Sequence, residues 1–357
     1  MTVAVVGAGL AGLSAAWELT RAGAEVIVLD AGREPGGMIV TERRDGCIVE
    51  GGPDGFLASE PDIQELARQL GIASRLVDQV VRGSTLWTGR RLEPLAEGKA
   101  AELLGIQVSA NVGGFRTFVT GMADVVEALV ACLVPPPRLR TTHGVTAIAQ
   151  AARGWRLSFT GASSLDAEAV ILAVPAWVTA RLLAGAGVAA ARALDAVVYV
   201  PSITVSLAYR ADQVPGTLEG AGFVAAADAG AAVRACTYTW RKYPSRAPAG
   251  YALLRAFLGS VDGDPGSIAH ADLAAILGIK GDPLWVRAFH WPRGLPRYPR
   301  GHTDRVAAVR ERLAGLAPLA IAGAGFDGAG VSACVKSGRE AGRVILERLG
   351  SARPVRG

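Results

Sequence analysis

Cysteine and histidine are scarce in this chain, with four of each among 357 residues. Cys47, Cys132, Cys236 and Cys334 lie far apart and never in C-x-x-C spacing, which argues for reduced, cytosolic thiols and a cytoplasmic protein. His143, His270, His290 and His302 are equally dispersed, so no metal site is written into the sequence. Long apolar runs are missing too. Pro175 and Arg181 break one candidate, while Arg192 and Asp195 break another, so no spanning helix is expected. Residues 1–17 carry no charge, but they have no basic leader and do not read as a signal peptide. Charge of either sign is modest. The 37 Lys+Arg exceed the 32 Asp+Glu by five and are scattered without a basic tail. That pattern makes no case for nucleic acid and is compatible with an anionic ligand or peripheral contact with a membrane surface.

Glycine is abundant, 45 residues, and half the chain is hydrophobic, enough for a large core divided between two domains. The informative stretch is the first thirty residues. Thr2-Val3-Ala4-Val5-Val6 reads as a strand buried on both faces, and it runs into Gly7-Ala8-Gly9-Leu10-Ala11-Gly12. A helical segment through Leu13, Ala16, Trp17 and Leu19 follows, with Gly23 as its left-handed stop. Then comes a second apolar strand, Val26–Leu29, ending in Asp30. In a strand–turn–helix setting the glycines allow a tight turn, the approach of a pyrophosphate and close helix packing, while the acid accepts a ribose diol. This is a dinucleotide site.

Two further glycine-dense turns, at Gly36-Gly37 and at Glu50-Gly51-Gly52-Pro53-Asp54-Gly55, complete a set. Together with the first motif they resemble the flavin-dependent amine oxidase superfamily, and in particular its bacterial protoporphyrinogen/coproporphyrinogen oxidases. The stretch from Ser206 through "ACTYTWRKYPSRAP" to "LLRAF", and Pro296–His302, are similar to the same branch. The resemblance implies an α/β fold: a discontinuous, doubly wound Rossmann-like FAD domain over 1–84, 116–184 and 300–350, and a β-rich α+β substrate domain over 85–115 and 185–299. It implies FAD contacts at Gly7 to Gly12, Asp30, Ala31, Gly36, Gly37, Gly52 to Gly55, Val145, Gly325, Ala329, Gly330 and Val331. The Gly36-Gly37 block would lie along the FAD pyrophosphate, and the block from Glu50 to Asp54 would pass the isoalloxazine ring. Met38 stands where the family has a basic residue, and Arg297 replaces a glutamine. The family's long helical insertion, part of its substrate cavity and membrane-contacting surface, is nearly absent between Leu95 and Phe115.

Other elements follow from pattern alone. An amphipathic helix is expected after Pro61, a hairpin around Gly89, and a helix from Gly121-Met122 that Pro135-Pro136-Pro137 stops. Strands are expected at Val145–Ile148, Trp155–Phe159 and Ala169–Val174, then at Ile203–Tyr209, Val233–Trp240 and Tyr251–Leu258 as an antiparallel sheet. Ile203–Tyr209 alternates as a half-exposed strand does. A strand around Trp285–Phe289, a helix at 303–315 and a final helix from Ser332 to Leu349 close the chain.

The chemistry implied is two-electron oxidation of an organic substrate by FAD, with oxygen or another acceptor closing the cycle. No acid–base pair or nucleophile triad is visible, so no catalytic side chain is assigned. A porphyrinogen carries propionates, for which Arg241, Lys242, Arg297 and Arg300 are the candidate partners. Trp240, Tyr243, Trp291 and Tyr298 are candidates to stack on a flat ring. Each of these also fits an ordinary role, as a solvated cation or a packed aromatic. Three readings therefore remain: an oxidase of an anionic tetrapyrrole, another flavin oxidoreductase acting on an amine, carotenoid or secondary metabolite, or a non-catalytic flavoprotein subunit. In the last, a homodimer or partner chain would cover the flavin.

Overall fold

The computed structural model describes residues 2–96, 98–103, 113–133, 138–160 and 163–351. The proline run at 135–137 and most of the short 95–115 segment beyond Leu103 lie outside the described residues.

Five parallel strands form the first sheet, in the order Leu139–Arg140, Glu25–Leu29, Thr2–Val6, Ala169–Leu172 and Leu319–Ile321. Its apolar runs are buried on both faces because two separate layers cover it. Val3, Val5, Val26, Val28 and Ile171 face the helices Leu10–Arg21, Pro61–Gln69, Ala123–Ala131 and Val331–Ser351. Ala4, Val6, Ile27, Leu29 and Leu172 face a small antiparallel sheet (Val145–Gln150, Trp155–Phe159, Ser164–Ala167) and the helices Ala176–Gly185 and His302–Ala314. Alternate residues feed alternate layers, as the period of two requires. Gly23, with φ +76, ends the first helix as expected.

The second sheet has seven strands, in the order Trp285–Arg297, Val198–Arg210, Tyr251–Leu258, Val233–Tyr238, Gly222–Ala225, Ser84–Trp87 and Leu92–Leu95. It is mixed and not purely antiparallel: Phe223–Ala225 runs parallel to Thr85–Trp87. The hairpin around Gly89 docks its first strand beside one that comes more than a hundred residues later, and a pairing at that separation leaves no local mark. Two elements are longer than their apolar cores. The Trp285 strand continues to Arg297, carrying the Pro296-Arg297 motif with it, and the Ile203 strand begins at Val198. The latter is not half-exposed either. Thr204 and Ser206 are buried, since the face opposite the Val205–Tyr209 core packs on another part of the chain.

The first and last helices pack at Gly338, where an added Cβ would lie 2.0 Å from the Ala11 carbonyl oxygen. Backbone cannot give way as a side-chain tip can, so the helices would have to part. Gly338→Ala is expected to lower the unfolding free energy by about 2 kcal/mol. Urea denaturation checks this, and a midpoint equal to that of the parent would refute it.

Candidate active site

The glycine motif opens the Leu10–Arg21 helix without a side-chain cap and without an acid in its first turn. Its leading N–H groups are thereby left to a ligand, and the helix dipole favours an anion there. A Cβ on Gly9 would meet nothing within 4 Å, so the turn borders open space wide enough for a phosphate to approach the backbone. Asp30 fixes the turn from below. Its Oδ2 accepts from Ala8 N at 2.6 Å and its Oδ1 from Gly32 N at 2.6 Å. Gly36 N donates to Ala8 O at 2.8 Å, and Gly37 lies against the Gly9 Cα. On the outer side His143 N donates to Asp30 O at 2.7 Å, and Gly144 lies against Ala31, which places Val145 at the same end. Gly323, the turn leading to Gly325, lies over Ala11. Ser332 Oγ accepts from Ile63 N at 3.2 Å, setting the Ala329-Gly330-Val331 helix start beside the Pro61 helix. The Gly7–Gly12, Asp30–Ala31, Gly36-Gly37 and Gly323–Gly325 turns thus lie against one another at one end of the parallel sheet, a setting that suits a dinucleotide.

The Glu50–Gly55 loop packs on one face of the seven-stranded sheet. Gly52 is irreplaceable there, because a Cβ would fall 1.6 Å from the Met38 carbonyl oxygen. Gly51 O accepts from Thr204 Oγ1 at 2.8 Å, Trp291 Nε1 at 2.9 Å and Arg255 Nη2 at 3.4 Å, and the same guanidinium donates to Gly52 O. Around this clamp lies a buried charge cluster. Glu50 Oε1 pairs with Arg246 Nη2 at 3.0 Å and accepts from Met122 N at 2.8 Å, while Thr41 Oγ1 donates to its Oε2 at 2.7 Å. Asp54 Oδ2 pairs with Lys242 Nζ at 3.1 Å, and that ammonium also sits 4.5 Å from the Phe115 ring centroid. Burial pushes the Glu50 carboxyl up, against the opposing pull of Arg246. Burial also works to raise Asp54, but Lys242, Arg255 and Arg246 together outweigh it and hold its carboxyl at about 2.

The seven-stranded sheet presents one face to this loop and beyond it. Val198 pairs with Arg297, Val200 with Leu295, Ser202 with Trp291 and Thr204 with Phe289, and directly paired side chains share a face. The bulge at Pro292–Gly294 takes four residues on one strand past two on the other, an even slip that keeps these residues on the same side. At the lower end Thr204, Trp291 and Phe289 close against Gly51. At the upper end Val198 is 62% exposed, Val200 37% and Leu295 42%, an open apolar strip with Arg297 at its rim. Tyr199, on the opposite side, accepts from Ala176 N at 2.9 Å and abuts Gly325.

Of the substrate candidates, Arg297 stands at this rim, while Tyr298 turns to the other side, towards Tyr199 and the Ala324–Gly325 turn. Tyr298 donates to Ala324 O at 2.6 Å and stacks on His302 with centroids 4.5 Å apart. Arg241 is turned away and donates to Leu218 O, and Arg300 is exposed beyond the strand end. The aromatic candidates divide. Tyr243 is buried beneath Gly55, Trp240 packs near Tyr238 with centroids 6.0 Å apart, and Trp291 is held by Gly51. These three hold the scaffold, whereas Tyr298 is 39% exposed. Sequence reasoning missed Arg255, Thr204 and the Glu50–Arg246 pair. One signal was available for Arg255: a charge inside the apolar strand Tyr251–Leu258 needs a buried partner.

Because the Asp54 carboxyl is held near 2 against an ordinary 3.8, its stabilising contribution is complete above about pH 5 and fades as pH falls through 4 towards 2. Parent protein should therefore exceed Asp54→Asn in unfolding free energy by about 1 kcal/mol less at pH 3 than at pH 6. Paired urea titrations measure it, and a difference unchanged between the two pH values would contradict the account.

Comparison with known proteins gives the site its setting. The model of the flavin containing amine oxidoreductases matches residues 85–346, and that of an NAD(P)-binding Rossmann-like domain matches residues 5–70. Coproporphyrinogen III oxidase of Bacillus subtilis (strain 168) is 24% identical over 462 aligned positions, covering 95% of this chain and 96% of that protein. Since this chain has 357 residues, at least 105 of those 462 positions have no counterpart here. A structure from Exiguobacterium sp. 255-15, assigned as a protoporphyrinogen oxidase, superposes with a TM-score of 0.83 at 23% identity over 97% of this chain and 99% of its own. Cyclohexylamine oxidase from Brevibacterium oxydans IH-35A gives 0.78 at 15% identity over 98% and 99%. Both structures share the fold. The chain belongs to the flavin-containing amine oxidoreductases, as an FAD-dependent oxidoreductase that joins a Rossmann-like region to a larger mixed sheet.

Proposed function

We propose that this protein oxidises a porphyrinogen, coproporphyrinogen III or protoporphyrinogen IX, to the porphyrin in heme biosynthesis, with oxygen as the acceptor. The observation that carries the reading is the open face of Val198, Val200 and Leu295 with Arg297 at its rim. A flat apolar macrocycle with carboxylate arms needs an apolar wall and cations at its margin. Coproporphyrinogen III oxidases aligned along nearly the whole chain support the same substrate class. An amine substrate fits less well. Val198–Arg210 and Trp285–Arg297, the two strands that form the wall, contain no Asp or Glu to meet an ammonium group.

FAD, when bound, accepts a hydride from the substrate. The chain's own residues bind and orient. The helix at Leu10 and the turns at Gly36-Gly37 and Ala329–Val331 would hold the dinucleotide, and Gly52 to Gly55 would border its ring. We assign residues 1–84, 116–184 and 300–350 to cofactor binding, and 85–115 and 185–299 to the substrate. Among the described residues no helix is long and apolar enough to cross a membrane.

The decisive experiment mixes FAD-loaded protein with each porphyrinogen without oxygen and follows bleaching of the flavin's visible absorbance. Bleaching followed by porphyrin fluorescence on admitting air is the expected result. Protein that dithionite reduces, but that neither porphyrinogen bleaches, would overturn the reading. Arg297→Ala should then lower kcat/KM by about tenfold, mostly through KM, as loss of one charge-assisted contact to a propionate would. An unchanged KM would place the propionates elsewhere.

A further inference from the structure

Five ionisable side chains crowd behind the Glu50–Gly55 loop: the acids Glu50 and Asp54 and the cations Lys242, Arg246 and Arg255. With both acids ionised the cluster still holds one cation in excess. Solvent does little to screen it, since Arg246 is fully buried and Arg255 only 4% exposed. Among the described residues, Arg255 Nε, together with Arg246 Nε and Nη1, has no hydrogen-bond partner. Uncompensated buried positive charge is costly, and an anion placed beside it relieves that cost.

The peptide geometry says on which side the anion belongs. Arg255 holds the carbonyl oxygens of Gly51 and Gly52 on the sheet side of the loop. In a trans peptide the carbonyl and the following N–H point in opposite directions. The Gly52 N–H therefore points away from the sheet, and a guanidinium on the Gly51 carbonyl polarises that peptide and makes the N–H a stronger donor.

We propose that Arg255, backed by the surplus charge of this cluster and acting through the Gly51–Gly52 peptide, favours negative charge on the flavin ring. On reduction the flavin takes two electrons and one proton from its donor and is left with one negative charge, which this arrangement stabilises. Arg255 is a positioning residue that touches neither substrate nor cofactor. The proposal rests on the reading that the Glu50–Gly55 loop borders the ring.

The test uses FAD-loaded protein with two readouts that need no substrate: titration with sulfite, whose adduct leaves the ring anionic, and the two-electron potential against reference dyes. Arg255→Gln keeps a donor for the Gly51 and Gly52 carbonyls but removes the charge. It should bind sulfite about tenfold more weakly, equivalent to a potential about 30 mV lower. Arg255→Lys keeps the charge and should restore most of the loss. The double change Arg287→Met with Glu42→Gln removes one charge of each sign from an ion pair outside the cluster and should leave both readouts near the parent values. Arg255→Gln with full FAD content and parental values in both would overturn the proposal, as would a double variant that falls as far as Arg255→Gln. If Arg255→Gln cannot retain FAD, Arg255→Lys against the double variant decides: the proposal needs both near the parent. Pro53→Ala tests the underlying reading separately, because it should alter the visible flavin spectrum only if the loop borders the ring.

Discussion

The carbonyl of Gly51 is the constraint around which one face of the seven-stranded sheet is arranged. The loop that carries it packs on that face with Gly51 and Gly52 buried, and a buried carbonyl needs a donor. Three arrive from three different strands of one sheet: the Thr204 hydroxyl, the Trp291 indole and the Arg255 guanidinium. That single requirement explains polar residues that the strand pattern alone cannot. Thr204 is buried in a strand whose neighbours are apolar because it serves the loop. Arg255 interrupts an apolar run for the same reason and, once inside, requires Glu50 and Asp54 nearby. The carboxylates require Arg246, Lys242 and Thr41 in turn. One unsatisfied acceptor thus propagates into a network spanning residues 41 to 291.

Much of the first sheet was legible because its information is local. Strand, glycine turn, helix and acid follow within thirty residues, and each component constrains the next through spacing alone. The helices at Pro61, Ala123, His302 and Val331 were readable from the sequence pattern, with ends off by only a few residues. The second sheet was legible as strands but not as an arrangement. Nothing near Thr85 announces that it will run parallel to Phe223, and nothing near Ser206 announces a covering loop. Both depend on partners more than a hundred residues away.

The candidate site divides along the same line. Its cofactor half is built from glycines whose necessity is steric, and steric necessity shows in sequence as an invariably small residue at fixed spacing. Gly52 beneath Met38 is of this kind. Its other half is chosen by charge and exposure, which sequence does not display. Arg241, Arg297 and Arg300 look alike as letters, yet one is spent on a carbonyl, one stands at the rim of an apolar face and one lies beyond the strand. The aromatic residues behave similarly: Trp291 is structural because its indole N–H reaches Gly51, whereas Tyr298 keeps one ring face on His302 and its hydroxyl on Ala324.

The open end of the sheet connects the missing length of chain to the substrate. The Bacillus subtilis relative has at least 105 aligned positions without a counterpart in these 357 residues. Within the described residues Val198, Val200 and Leu295 stay exposed on a face whose lower half is closed by the loop. Exposed apolar groups gathered on one sheet face gain about 25 cal/mol for each Å² withdrawn from water, and a lone valine on a surface has no such partner waiting. A flat macrocycle laid on this strip would supply the missing cover itself. Its own burial would then contribute to binding. On the reading proposed above, an open strip would leave orientation to the few polar groups at its margin, where an enclosed cavity would share that task among its walls.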